Sequence, residues 1–415
     1  MTPTLPELTR CFARIGLLSF GGPAAQIAMM HREIVDQRRW IEERDYLSAL
    51  SFCMLLPGPE AMQLATWIGW RSHGWRGGLI AGGLFVLPGA VIVGALAAIY
   101  AAFGTVPLVA ALFAGVQAAV IAVVVEALLR VARRALKTPA SRVLAALSFL
   151  GLAVLALPFP VVVLAAALWG LISARGTAAA VPPGPAPWAQ SLRALAVWGA
   201  VWLLPLGLLV LNGGLLAEIG LFFSKLALLT FGGAYAVLAW MAQEVVEARG
   251  WLTLTQMMDG LGLAKTTPGP LILVTEFVGY LAAFNAGGWA MGLAGAGVAL
   301  WMTFAPCFLW IFAGAPWIAR LTAAPRLSGA LAAITAAVVG VIAHLSLWFA
   351  LHVLFAVTWR VELGPVSLLL PEIGTLRPLT VAIALGAGWL LLARHWPLPA
   401  VLALAALASA AASLF

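Results

Sequence analysis

Charge is the scarcest commodity in this 415-residue sequence. Asp, Glu, Lys and Arg make up 9% of it, against about a quarter in a soluble domain, which excludes an ordinary water-soluble globule. Cysteine is nearly absent: Cys11, Cys53 and Cys307 are scattered, and no C-x-x-C or His/Cys cluster exists. A disulfide framework or structural metal is therefore not expected. The five histidines are dispersed as well. His344 and His352 lie eight apart on one long apolar stretch, which suits a packed or hydrogen-bonded pair better than a ligand pair. Glycine-rich phosphate loops, nucleophile elbows and acid/His constellations are missing, so neither a membrane-embedded enzyme nor a cofactor is expected. Met1–Arg14 has no apolar core followed by a small-residue cleavage site, and no cleavable signal peptide is read there.

What fills the chain instead is apolar: 63% of residues are hydrophobic. The stretches Gly77–Phe103, Val106–Leu129, Leu192–Leu211, Gly287–Gly314 and Leu327–Phe355 each reach the roughly 20 residues that cross a bilayer. The fold class is an all-α polytopic membrane protein. The 42 glycines and 25 prolines suit spans that are closely packed or interrupted. The net charge of +8 sits in short loops between the spans, as the positive-inside rule requires. The bilayer is thus the expected partner, and nucleic acid is not. Glu126, four residues before Arg130, reads as a helix ion pair.

The two halves of the chain are copies of one design. Residues 12–59 align without a gap on residues 223–270, with 17 identities in 48 positions, enough to establish a duplication. The Pro- and Gly-rich stretch "GTAAAVPPGPAPW" separates the copies. The organisation read from this is an N-terminal repeat over 1–175, a linker over 176–190, an extra crossing over 191–216 and a C-terminal repeat over 217–415. Arginine-rich loops at 31–45, 71–76 and 130–142 place the first copy's connections in the cytoplasm. The unpaired extra crossing starts the second copy from the opposite face, so the repeats are expected to be inverted. Since the loops flanking Tyr46–Trp70 share a side, that segment is expected to enter and leave there, as a re-entrant hairpin.

Each copy carries two candidate breaks. Gly21-Gly22 and Gly232-Gly233 interrupt the first segment, and Pro57-Gly58-Pro59 and Pro268-Gly269-Pro270 stand at the hairpin tips. A broken helix in a bilayer leaves backbone groups unpaired, at a cost of several kcal/mol, unless it lines a cavity. In transporters built from inverted repeats, half-helix N-termini face an anionic substrate near the midplane. One such motif alone could be a packed turn or a close helix contact; the symmetric recurrence of both points to a substrate site. Ser19 and Thr230 precede the first breaks, and Arg14 and Lys225 precede them by one to two turns, although Arg14 also suits a snorkelling role. Lys265, Thr266 and Thr267 crowd the second tip, where the first has Met54, Leu55 and Leu56. This net cationic set suits an oxyanion. Glu60 and Glu276 follow the tips as candidates to carry a coupled proton, while pairing of Lys265 with Glu276 is a rival to direct substrate contact.

The stretches "LLSFGGPAAQIA", "LPGPEAMQLATWIGW", "LLTFGGAYAVLAWM" and "GWLTLTQMMDGLGLAKTTPGPLILVTEFVGYLAAF" together resemble the chromate ion transporter family in its long two-domain form. The resemblance implies export of chromate across a bacterial inner membrane by secondary active transport, and with it chromate resistance. It carries over Gly21, Gly22, Pro57, Gly58, Pro59, Gly232, Gly233, Pro268, Gly269 and Pro270 as site positions. The family pattern has an acidic residue at position 265 and an amide at 276, so Lys265 and Glu276 are departures. A sulfate or other oxyanion transporter and a passive anion channel of the same fold are the alternatives, and a homodimer is admitted.

Overall fold

The computed structural model describes residues 2–20, 22–104, 106–174, 188–231, 234–322, 324–364 and 366–413. Gly21, Gly232, Gly233 and most of the linker thus lie outside the described residues. The helices run α1 Leu5–Leu18, α2 Pro23–His31, α3 Glu43–Leu55, α4 Glu60–Phe103, α5 Pro107–Ala135, α6 Pro139–Ala153, α7 Phe159–Ser173 and α8 Trp188–Asn212. They continue with α9 Leu215–Leu229, α10 Ala234–Gln243, α11 Leu254–Thr266, α12 Val274–Gly314, α13 Ile318–Thr322 and α14 Pro325–Leu354. A hairpin of β1 Thr358–Leu363 and β2 Val366–Pro371 precedes α15 Pro378–Gly388 and α16 Leu398–Ala412. Five apolar helical stretches among the described residues are long enough to cross a membrane: Glu60–Phe103, Pro107–Ala135, Trp188–Asn212, Leu271–Trp317 and Pro325–Leu354. The chain is an all-α polytopic membrane protein.

Two of those stretches reverse on themselves. In α4 the backbone leaves helical geometry at His73 and Gly74, and in α12 at Gly287 and Gly288. A Cβ placed on Gly69 would lie 2.1 Å from the carbonyl oxygen of Gly77, and one on Gly279 would lie 2.6 Å from that of Gly295. In a straight helix residues eight or sixteen apart are about 12 or 24 Å from one another, so each helix is an antiparallel pair of arms held backbone to backbone at glycine.

The chain forms two compact units. The first comprises 1–101, 175–237 and 263–328, and so draws on both copies. In it α12 packs on α8 and α9, and its run from Val274 to Ala283 is buried throughout. The second comprises 102–174, 238–262 and 329–415. There α5 packs on α15 and α16, through Gly115 against the Ala405 carbonyl, and α14 meets α6 where Gly340 faces the Ala145 carbonyl. His344 and His352 do not pair: His344 bonds Gln243 (2.8 Å), and His352 bonds the carbonyl of Trp348 (2.8 Å). Glu126 and Arg130 do form the ion pair read from their spacing.

The alignment extends into the helix ends. Arg32–Gln37 and Glu244–Ala248 are π-helical turns at matching places. Each closes alike: Arg38 pairs with Glu33 (3.4 Å) and lies over Trp40, while Arg249 pairs with Glu244 (3.3 Å) and lies over Trp251. Arg39 and Gly250 hold the same positive φ, 52° and 62°.

Candidate functional site

Both tips form as the proline chemistry dictates, and both lie in the first unit. Leu56, before Pro57, is extended (ψ 149°), because a residue preceding proline is pushed out of α geometry. Gly58 and Gly269 take φ of 119° and 94°, a region that L side chains avoid. The second proline caps the next helix rather than entering its first turn: Pro59 O accepts from Gln63 N (3.1 Å), and Pro270 O accepts from Leu273 N (2.9 Å).

Neither proline has an N–H, so each tip offers a single amide proton, that of its glycine. Both are spent in crossed contacts. Gly269 N donates to Ser19 O (3.0 Å), and Gly58 N donates to Thr230 O (2.7 Å). Ser19 and Thr230 are equivalent positions in the two copies, as are Gly58 and Gly269. The break of each copy therefore holds the tip of the other. A second reciprocity lies beneath. A Cβ on Gly89 would be 2.4 Å from Pro268 O, and one on Gly58 would be 2.9 Å from Cys307 Sγ. Gly89 and Cys307 each directly follow the proline inside a long arm, Pro88 or Pro306.

The side chains around this framework sort themselves by depth. Ser19 and Thr230 are buried, and their hydroxyls donate back to Ile15 O and Leu226 O, one turn earlier. Thr266 and Thr267 do the same, to Leu263 O (2.8 Å) and Ala264 O (3.3 Å). All four hydroxyl protons are thus turned to helix carbonyls in this conformation. Lys265 is 8% exposed, in the last turn of α11, where a helix C-terminus favours a cation. Glu60 opens α4, half-buried. Glu276 is 7% exposed in the first turn of α12, against Gly94, and its Oε2 has no hydrogen-bond partner among the described residues. Arg14 and Lys225 stand apart from this set. Both are exposed, and the Arg14 guanidinium is 4.0 Å from Glu33. Gly22, at φ 82°, caps α2.

Two polar residues went unnoticed in the sequence. Gln26 is fully buried, and its Nε2 donates to both Ser19 O (3.1 Å) and Gly269 O (2.7 Å). In the second unit Asp259, 2% exposed, accepts from Gln117 Nε2 (2.7 Å). The signal for both was a polar side chain inside an apolar run, which marks function in a membrane chain. One metal-type grouping exists among the described residues, His31, Asp36 and Glu43. His31 Nε2 already meets Glu43 at 2.6 Å and both acids are exposed, so it reads as a surface ion-pair cluster.

Interrupted helices whose tips are exchanged between duplicated halves, in a chain this apolar, define a multi-pass membrane transport protein. Residues 6–171 and 217–410 match the family described as Chromate transporter. The chain is 38% identical over 300 residues to a chromate transport protein of Pseudomonas aeruginosa, covering 69% of this chain and 68% of that one. It is 32% identical over 342 residues to a chromate transport protein of Cupriavidus metallidurans (82% and 81%). It is 31% identical over 342 residues to a probable chromate transport protein of Synechococcus elongatus (82% and 83%). No solved structure matches. The chain belongs to the chromate transporter family, and a bacterial inner membrane fits these relatives.

Proposed function

We propose that this protein is a secondary active transporter that exports chromate and so protects its cell. In this reading the repeats are inverted, the Pro-Gly-Pro segments are tips of re-entrant hairpins, and the halves rock about a site beside both tips. The observation that carries it is the crossed pair of hydrogen bonds, Gly269 N to Ser19 O and Gly58 N to Thr230 O. A reciprocal contact of this kind is what a two-fold relation between copies produces. With the axis in the membrane plane, opening one contact faces one side of the membrane and opening the other faces the opposite side.

The substrate chemistry follows from the second tip. α3 and α11 are 13 residues each, about 20 Å against a bilayer core of about 30 Å, so each ends at membrane depth. Lys265 supplies a cation there, and the half-helices after Pro59 and Pro270 supply first-turn N–H groups. Thr266 and Thr267 can turn their hydroxyls outward when an anion arrives. Glu276, with an unpartnered carboxylate oxygen, is the group to carry a coupled proton. Arg14 and Lys225, being exposed, serve in the approach of the anion rather than in its binding.

Everted membrane vesicles containing the protein test this. Radiolabelled chromate should accumulate against its gradient, collapse with an uncoupler and yield to excess cold chromate, with sulfate and molybdate measured as competitors. Entry that an uncoupler leaves untouched would identify a passive channel and overturn the reading.

A further inference from the structure

The two crossed contacts are equivalent by position but differ in the side chains bonded to them. At the second tip Gln26 Nε2 reaches two carbonyls that belong to different copies, Ser19 O (3.1 Å) and Gly269 O (2.7 Å). Together with Gly269 N to Ser19 O (3.0 Å), this closes a ring of three hydrogen bonds around the contact. Because the amide nitrogen must be the donor to a carbonyl, the orientation of the Gln26 amide is fixed. Its Oε1 is then left buried with no hydrogen-bond partner among the described residues. An orphaned buried acceptor is costly, and it persists here because the nitrogen is needed where it is. At the other contact the position equivalent to Gln26 is Val237, also fully buried and unable to donate. Among the described residues no side chain there hydrogen-bonds both sides of the contact from Gly58 N to Thr230 O. Gln63 Nε2 bonds Pro57 O (2.7 Å) and meets the Cys307 thiol of the other copy, so it braces the first tip at a different place from the contact itself.

We propose that Gln26 is a positioning residue for transport: it ties the second tip to the first break so that this contact stays closed while the contact at Gly58 is open. The consequence is an ordered cycle. Were both contacts equally weak they would open together at times, and the substrate would leak down its gradient. This rests on the alternating-access reading above.

The tips carry their own reporters, since Gly58 and Gly269 hold the one amide proton in each Pro-Gly-Pro. Hydrogen–deuterium exchange on the full-length protein in nanodiscs reads each contact without substrate. In the wild type Gly269 should exchange more slowly than Gly58. Gln26→Leu should speed Gly269 by about tenfold, the effect of losing a buried hydrogen bond, and leave Gly58 unchanged. Gln26→Glu keeps the shape but replaces the donor with an acceptor. It should protect Gly269 at low pH, where the carboxylic acid donates, and free it as pH rises and the carboxyl ionises, which separates bonding from packing. Everted vesicles with either variant should leak chromate when not energised, with KM changed less than about twofold. Exchange at Gly269 that matches the wild type in the Leu variant would overturn the proposal. Should exchange in nanodiscs respond as stated while everted vesicles of the wild type transport no chromate, the latch stands and the transport reading falls.

Discussion

The two Pro-Gly-Pro tips share a backbone and differ in what surrounds it. Both hold a glycine in the left-handed region, both spend its N–H on the other copy, and both rest on the residue after an in-helix proline. Around the first tip stand Met54, 54% exposed, and the sulfur of Cys307; around the second stand the buried Lys265 and the doubled clamp of Gln26. Geometry was thus kept where the copies must fit one another. The side chains diverged around that common frame.

The largest expected effect attacks the shared geometry. Gly89→Ala would set a methyl 2.4 Å from the Pro268 carbonyl oxygen, a backbone atom that cannot yield without moving the tip. Overpacking of this kind costs about 1–3 kcal/mol. Chromate uptake per mole of folded protein should fall more than about tenfold, whereas Gly83→Ala, with nothing within 4 Å, should match the wild type.

Next comes the chemistry that separates the tips. Lys265→Ala should raise the KM for chromate about tenfold, on the scale of a lost charge-assisted bond. Met54→Lys should not restore it, because that position is open to the surroundings rather than enclosed. Unchanged protection of cells expressing Lys265→Ala at normal level would take Lys265 out of the site.

Glu276→Gln removes a proton carrier while keeping the shape. Vesicle uptake should lose its dependence on the pH gradient, with chromate exchange at equilibrium within about threefold of the wild type. A gradient dependence that survives would move the coupling elsewhere, and Asp259 would be the residue to test. The smallest effect belongs to Arg14→Met and Lys225→Met. Exposed charges contribute little, and uptake should change less than about twofold at physiological salt.

Much of the framework was legible in the chain. A gapless repeat, glycine pairs and Pro-Gly-Pro are local patterns, and the turns at Gly22, Gly58 and Gly269 take the positive φ that glycine allows. The crossed contacts were not legible, because Ser19 and Gly269 are brought together only by the fold. Gln26 was passed over for the same reason: its value lies in two carbonyls that no local pattern links. The reversal at His73-Gly74 was visible as a loop, but its glycine seam, Gly69 on Gly77, was hidden among glycines of lesser consequence. The β hairpin at 358–371 was missed altogether. Its alternation, Trp359-Arg360-Val361-Glu362, is short and sits in a chain whose other apolar runs are helical. Arg360 nonetheless anchors it to Glu247 at 2.8 Å.

The seam and the turn also tell an engineer where to cut. Gly69 and Gly77 are eight residues apart, whereas Gly279 and Gly295 are sixteen apart. The seam is retained while the loop beyond it has grown by about one helical turn in each arm. Natural length variation has therefore already been absorbed at the ends remote from the tips. Gly74 and Gly288, with nothing within 4 Å of where a Cβ would be, are the positions at which to splice an epitope or a fluorophore while the tips stay in register.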